Sequence, residues 1–512
     1  MNRAFCNRCR RLVKARHERR GGEVFLVKEC PDCGSTETRL SSDAGRYFAK
    51  QRLDGQHEEP IPCGLNCPDC DHKDPPNFVF VDVTNRCNSN CPICINNTPS
   101  MGFLFEPPFE YFERLFEGLA KFDPRPAVQL FGGEPTVRED LFDIIALARS
   151  HKLRVRVVTN GLRLADEAYC RELAGTRSTI LFAYDGANPE TYRVLRGNER
   201  HLAIKERALE NLSRVPGAKV ALMTCLAAGF NDDELPEMLQ FCHDRRDMIR
   251  GIYLMPLAQT WDRADFDLEP ERITTEDVEE MLNECYPGER IEFVPAGLLG
   301  ELETLAQCIG LKRSPFAGAH PNCESMYMMV SDGERYVPAA RYLKTGLHDA
   351  VAEMLAVEDR LQRLKTRLGF SPGAPLPDGL SVRKLFLRMA AMLLIVSGAR
   401  RHLRIGGLVM GKGLGKVWHV LAGIVGRLSG KGTKEILGRH ATLQGRLQVI
   451  VLPFEDPYSL ETERLQRCPN AFAYYDGERD RVNYVPACAW GEHKSAVMRR
   501  IADFWAEQPA SA

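Results

Sequence analysis

Three cysteines, Cys87, Cys91 and Cys94, stand in a CxxxCxxC spacing within VDVTNRCNSNCPIC. Thiolates are the ligands that iron–sulfur clusters take, and three of them hold three irons of a [4Fe–4S] cube while the fourth stays open to another ligand. The same spacing already occurs upstream, at Cys63, Cys67 and Cys70 in CGLNCPDC. Earlier still, CNRC (Cys6, Cys9) and CPDC (Cys30, Cys33) form two CxxC knuckles around a basic stretch. Paired knuckles suit one tetrahedral ion held by four thiolates, and zinc and mononuclear iron both accept that set.

The cysteines are clumped: ten of the 18 precede position 95. The N-terminus MNRAFCNRCRRLVKARHERR is basic and lacks the apolar core of an export signal, so disulfides explain this count poorly and metal or cluster binding explains it well. Cys170, Cys225, Cys242, Cys285 and Cys308 lie in apolar helical or strand patterns and read as small buried hydrophobes. Cys323, Cys468 and Cys488 lie in polar, turn-like contexts and are candidates to complete an auxiliary cluster begun by Cys63, Cys67 and Cys70. Pro60, Pro62, Gly64 and Pro68 make that upstream triplet a loop.

The elements that must position these residues alternate. FVFVDVT (78–84), AVQLFGGEP (127–135), RVRVVTNG (154–161), TILFAYDG (179–186), KVALMTCL (219–226) and GIYLMPL (251–257) read as six strands. Helical spacing fills the intervals, at 108–121, 140–152, 189–212 and 232–245. This alternation predicts an α/β fold with a parallel sheet, open or barrel-like, whose site gathers at the carboxyl ends of the strands. Thr84 to Cys94, Gly132 to Glu134, Thr159 to Gly161 and Asp185 fall there. In the 1–40 module only 24–27 reads as a strand.

The formal net charge of −1 implies no global attraction to nucleic acid. Residues 381–446, however, carry 13 Lys and Arg against one acid, Glu435, a formal +12. KLFLRMAAMLLIVSG (384–398) and KVWHVLAGIVGRL (416–428) are apolar helical stretches laced with cations, too short to span a bilayer. They suit either helices lying in the interface of an anionic membrane or a buried pair with a solvated basic rim. Aromatic interleaving is too sparse for nucleic acid. With no run of about 18 apolar residues, the chain is expected to be cytoplasmic, and the basic segment would seat it peripherally at the inner face of the membrane.

CxxxCxxC after a first strand, followed by GGEP after the second, resembles the radical S-adenosylmethionine superfamily. The resemblance implies a partial (βα)6 barrel, a cluster whose open iron binds S-adenosylmethionine, and release of a 5′-deoxyadenosyl radical on one-electron cleavage by a flavodoxin- or ferredoxin-type reductant. It assigns the methionine amino group to Gly132, Gly133, Glu134 and Pro135. Thr159 and Asn160 read as cofactor contacts or as a strand-end turn, and Asp185 as a ribose contact or a turn residue. The linear order of double knuckle, CGL…CP loop, VTNRCN, GGEPTVR, HPNC…DG…VP and terminal RC…DG…VPAC is similar to the tetraether lipid synthase family. Members carry a small mononuclear metal site and auxiliary clusters and join unactivated ends of lipid chains. This chain departs from that family's usual CGLCPxH by an inserted Asn66 and by Cys70, and it has Cys468 followed by Pro469 where paired cysteines are usual.

These readings divide the chain into a four-cysteine zinc-ribbon or rubredoxin-like module (1–40), a cysteine-containing connector (41–77) and a radical core (78–260). An auxiliary region (261–380), a basic helical segment (381–446) and a C-terminal auxiliary-cluster region with a helical tail (447–512) follow. The expected function is hydrogen abstraction from unactivated C–H bonds of lipid chains with C–C bond formation. The competing readings are a radical enzyme modifying a peptide or cofactor and a non-catalytic iron–sulfur electron carrier.

Overall fold

The computed structural model describes residues 2–55, 61–70, 75–96, 101–259, 270–310, 316–371, 374–377, 379, 381–404, 410, 414–428, 433–440 and 445–507. Pro60, and parts of the 41–77 and 381–446 segments, lie outside the described residues.

The first 41 residues form an antiparallel sheet of β1 (Arg3–Phe5), β2 (Leu12–Arg20), β3 (Glu23–Cys30) and β4 (Gly34–Ser41), in that order. The residue pattern of this module predicts a strand only at 24–27. The missed β2 has the alternation of a strand, with Val13, Ala15 and His17 turned inward between the exposed Lys14 and Arg16. Its charge hides that period, since a half-buried strand needs apolar groups on one face only. The module is fastened to a segment more than 400 residues away: Asn2 Nδ2 and His17 Nε2 meet Glu461 Oε2 at 2.6 and 2.7 Å. Burial opposes charge on both partners, and their attraction wins. It holds the Glu461 carboxyl down at about 2 and the His17 imidazole above its ordinary value.

The main sheet contains β5 (Phe78–Thr84), β6 (Ala127–Gly132), β7 (Arg154–Thr159), β8 (Thr179–Ala183), β9 (Val220–Leu226), β10 (Ile249–Pro256), β11 (Val294–Pro295), β12 (Ser325–Ser331), β13 (Tyr336–Pro338), β14 (Arg446–Val451), β15 (Asn470–Asp476) and β16 (Arg481–Pro486). Strands β5 to β10 are parallel and lie side by side in chain order. Between them run α1 (Phe109–Ala120), α2 (Leu141–Ser150), α3 (Glu167–Gly175), α4 (Pro189–Arg196), α5 (His201–Ser213) and α6 (Leu235–Asp244). The expected single helix 189–212 is two, because α4 ends on Gly197 in the left-handed conformation, φ +73°.

The parallel sheet has two strands more than the expected six. β14 pairs in parallel with β10, and β15 pairs in parallel with β5. β14 and β15 therefore grip the two edges of the core. β15 then turns back as the antiparallel β16, and β12 covers β14 on the other side. Such pairings join strands hundreds of residues apart, so no local pattern announces them.

One set of alternating residues, Val79, Val81, Val83, Val128, Leu130, Val155, Val157, Ile180 and Phe182, packs under the helices against Phe112, Leu115, Ile144 and Ile145. Burying each such side chain is worth about 1.5–3 kcal/mol. The opposite set faces inward and lines the site. Outside the core, Leu387 and Ala391 of the helix Val382–His402 pack with Val357 and Leu361 of the helix Leu347–Arg367.

Candidate active site

The loop carrying Cys87, Cys91 and Cys94 leaves the carboxyl end of β5, and all three residues line one cavity of about 240 Å³. The loop is held from three sides. Gly133 N donates to Thr84 O and Glu134 N to Arg86 O, both at 2.8 Å, so the GGEP turn lies directly on the backbone that leads into Cys87. A Cβ on Gly133 would sit 2.2 Å from Arg86 O, and Gly132 has φ +130° with Thr84 O at 2.3 Å from its would-be Cβ. Only glycine permits this approach. On the far side, a Cβ on Gly197 would meet Asn90 O at 2.9 Å.

Glu134 is fully buried, and its carboxylate joins strand ends. Oε1 accepts from Thr136 N (3.0 Å), Thr136 Oγ1 (2.6 Å) and Thr159 Oγ1 (2.7 Å), while Oε2 accepts from Asn160 N (2.6 Å). Burial raises its pKa, and these donors pull the other way. Oε2 keeps acceptor capacity for one further donor from the cavity. Asn160 also reaches the cysteine loop: its Nδ2 donates to Asn88 Oδ1 at 2.7 Å and lies 4.0 Å from Cys87 Sγ. Thr159 and Asn160, read in sequence as cofactor contacts or a strand-end turn, stand at the end of β7 and line the cavity.

Asp185 reads in sequence as a ribose contact or a turn residue. It is completely buried and outside the cavity wall. Its carboxylate takes Arg196 Nε and Nη2 at 2.7 and 2.8 Å and Cys225 N at 2.9 Å. Burial would raise its pKa, but the guanidinium overrides this and holds it below the ordinary value. The group offered to the cavity is Arg196, a residue sequence reasoning missed because an arginine closing a helix carries no signal of its own. Cys225, read as a core hydrophobe, also stands in the cavity wall, whereas Cys170, Cys242 and Cys308 are buried and Cys285 is half-buried.

The inner wall takes alternate residues from each core strand: Phe78 and Phe80, Gln129 and Phe131, Arg156 and Val158, Leu181 and Ala183, Met223 and Cys225, Tyr253 and Met255. Cys323, just ahead of β12, and Cys468 and Cys488, which flank the β15–β16 hairpin, line the same cavity. Enclosure pushes the Cys468 thiol up to about 12 and raises Cys488 and Cys323 as well, so a metal bound there must displace protons. Cys63, Cys67 and Cys70 face a separate cavity of about 70 Å³, and Cys468 contributes to its wall too. At the N-terminal module, the ligand atoms of Cys6, Cys9, Cys30 and Cys33 lie within 4.8 Å of one another, and Cys9 and Cys30 Sγ are 3.6 Å apart. Four sulfurs at that spacing fit one tetrahedral ion with bonds near ~2.3 Å.

The donor chemistry fits the groups expected. Three thiols on one loop suit an iron–sulfur cube. The Gly132–Gly133 backbone and the spare Glu134 lone pair beside it suit an ammonium group.

Residues 81–242 match the family model described as the radical SAM superfamily, and residues 2–42 match an HMPTM N-terminal zinc ribbon domain. A 7,8-dihydro-6-hydroxymethylpterin dimethyltransferase of Methanocaldococcus jannaschii is 34% identical over 358 residues, which are 66% of this chain and 70% of that protein. A GTP 3′,8-cyclase of Nautilia profundicola is 30% identical over 35% of this chain and 56% of its own. A mycofactocin maturase of Mycolicibacterium smegmatis is 28% identical over 40% of this chain and 50% of its own.

Proposed function

Since the chain belongs to the radical SAM superfamily and is an enzyme using a [4Fe–4S] cluster and S-adenosylmethionine, we propose that it abstracts hydrogen from an unactivated C–H bond of an apolar substrate, a lipid chain, on the way to a C–C bond. The observation that carries this reading is the cavity, in which Cys87, Cys91, Cys94, Glu134 and Asn160 occupy the strand ends above a wall of Phe, Leu, Met and Val. When bound, the cluster and S-adenosylmethionine supply a carbon-centred radical able to take hydrogen from such a bond. Cys87, Cys91 and Cys94 would hold the cube. Gly132, Gly133, Glu134 and Pro135 seat the methionine end, and Arg196, set by Asp185, offers its guanidinium to the same molecule. Thr159 and Asn160 keep the GGEP turn and the cysteine loop in register. The apolar wall excludes water, which protects a reactive radical from the wrong partner. Cys63, Cys67 and Cys70 with Cys468 form the candidate auxiliary site, next to Cys323 and Cys488, and the four-cysteine module holds zinc or iron. A flavodoxin- or ferredoxin-type reductant supplies the electron.

Anaerobically reconstituted protein with S-adenosylmethionine and dithionite is expected to release 5′-deoxyadenosine. Release by Cys91→Ala equal to wild type refutes the assignment. Mass spectrometry of lipids from cells with and without the protein tests the substrate, and an unchanged lipid profile removes it. A pterin acceptor is the second reading, favoured by the 34% identity to the pterin dimethyltransferase.

A lipid substrate brings the enzyme to a membrane surface. The helix Val382–His402 leaves Val382, Phe386, Met389 and Leu393 exposed on one stripe beside Arg383 and Arg400, and Trp418, Leu421 and Val425 are exposed on the helix Leu414–Leu428. Among the described residues no helix is long and apolar enough to cross a membrane. Flotation with anionic liposomes that weakens with salt supports this docking; equal binding to neutral liposomes removes its electrostatic part.

A further inference from the structure

We propose that Arg156, on the floor of the cavity, anchors an oxyanion, a carboxylate or a phosphate, at one end of the otherwise apolar substrate. The proposal rests on the reading above that this cavity is the substrate site.

Arg156 points inward from β7, three residues before Thr159, which places it about 10 Å below the strand ends where the cysteine loop lies. Its guanidinium carbon stands over two aromatic rings, 5.0 Å from the centre of Phe78 and 5.6 Å from that of Tyr253. Nη2 donates to the Tyr253 hydroxyl at 3.0 Å, and Nε is buried with no hydrogen-bond partner. Among the described residues no carboxylate lies within ion-pair distance of it. Of the other charged groups of the wall, Arg196 is matched by Asp185 and Glu134 by its four donors, while Glu324 is half-matched: Oε1 accepts from Asn470 Nδ2 at 2.9 Å and Oε2 is buried without a partner. Gln129 is the register partner of Arg156 on β6 and faces the same space, which adds a neutral amide beside the cation.

A half-buried guanidinium lining an apolar cavity without a counter-ion among the described residues is costly, because enclosure strips water from Nε and, of its donors, Nη2 has the Tyr253 hydroxyl in exchange while Nε has no partner. Aromatic faces offset only part of that cost. The planar fork matches a carboxylate or a phosphate through two parallel hydrogen bonds, and Nε is one of the donors such a pair uses. An acid group held here would place the rest of the molecule along the Phe, Leu and Met wall toward the cysteine loop. The reacting carbon would then lie several bonds from the acid group, on the apolar part of the substrate.

The test is binding of short amphiphiles to the full reconstituted chain at pH 8 without reductant, measured by calorimetry with octanoate, octyl phosphate and 1-octanol. Octanoate or octyl phosphate is expected to bind about tenfold or more tighter than 1-octanol, the effect of a hydrogen bond to a charged group. The tighter of the two acids identifies carboxylate or phosphate as the natural end. Arg156→Gln is expected to abolish the preference and Arg156→Lys to retain part of it. Equal affinity of wild type for the acids and the alcohol overturns the proposal, and that comparison needs no variant to fold. So does a folded Arg156→Gln that keeps the full preference. The measurement involves no radical, so its failure is separable from failure of wild type to release 5′-deoxyadenosine, which would strike the functional reading instead.

Discussion

Residues 63–70 and 87–94 carry cysteines at the same spacing in opposite surroundings. The first stretch turns through the short 3-10 helix Cys67–Asp69 and is fastened by the β15–β16 hairpin: Asn483 Nδ2 donates to Pro68 O at 2.7 Å, and Arg479 pairs with Asp69 at 2.6 Å. It faces a small cavity shared with Cys468. The second stretch follows a core strand, lies under the GGEP turn, is met by Asn160 and Gly197, and opens on the large apolar cavity. A local cysteine pattern specifies how many ligands a loop offers. Its neighbours decide whether anything but a cluster can approach.

The sharpest test of this contrast exchanges the loss between the two loops. Cys91→Ala and Cys67→Ala are each expected to lower iron by about a cube's worth, roughly four atoms per chain. Only the first should bring 5′-deoxyadenosine release to background. If Cys67→Ala also abolishes release, the two loops are not functionally distinct. A smaller effect is expected at the turn that sets the second loop apart. Gly133→Ala forces a methyl group onto Arg86 O, for which overpacking costs about 1–3 kcal/mol. It should lower the melting temperature by a few degrees and reduce 5′-deoxyadenosine release, while iron at the upstream loop survives. Unchanged melting and release would mean that the loop does not depend on the turn.

The smallest effect concerns the fastening of the first loop. Asn483→Ala removes the hydrogen bond to Pro68 O, worth about 1 kcal/mol. Iron loss from the upstream site to a ferrous chelator should accelerate roughly fivefold, the rate equivalent of that energy. Release of 5′-deoxyadenosine should not change. A parallel fall in both would tie the two cysteine loops into one unit.

Several features were legible in the residues alone. The knuckles at Cys6, Cys9, Cys30 and Cys33 are local pairs whose spacing restricts them to one ion, and the structure brings their ligand atoms together. The core strands and helices follow from short β-rich apolar runs that alternate with segments of helical apolar spacing. GGEP was legible through its resemblance to the superfamily's turn after the second strand, and its two glycines suit a backbone that is approached closely. Other features depended on where distant segments met. The two added parallel strands pair β14 with β10 and β15 with β5, and backbone hydrogen bonds of that kind leave no side-chain signature. The roles of Asp185 and Arg196 hinge on a carboxylate turned away from the cavity and a guanidinium turned toward it, a choice made by side-chain packing. Arg156 reads in sequence as one more charge in RVRVVTNG; inside the sheet it is a cation with no acid to meet it among the described residues, because the curvature of six strands turned its alternate face inward.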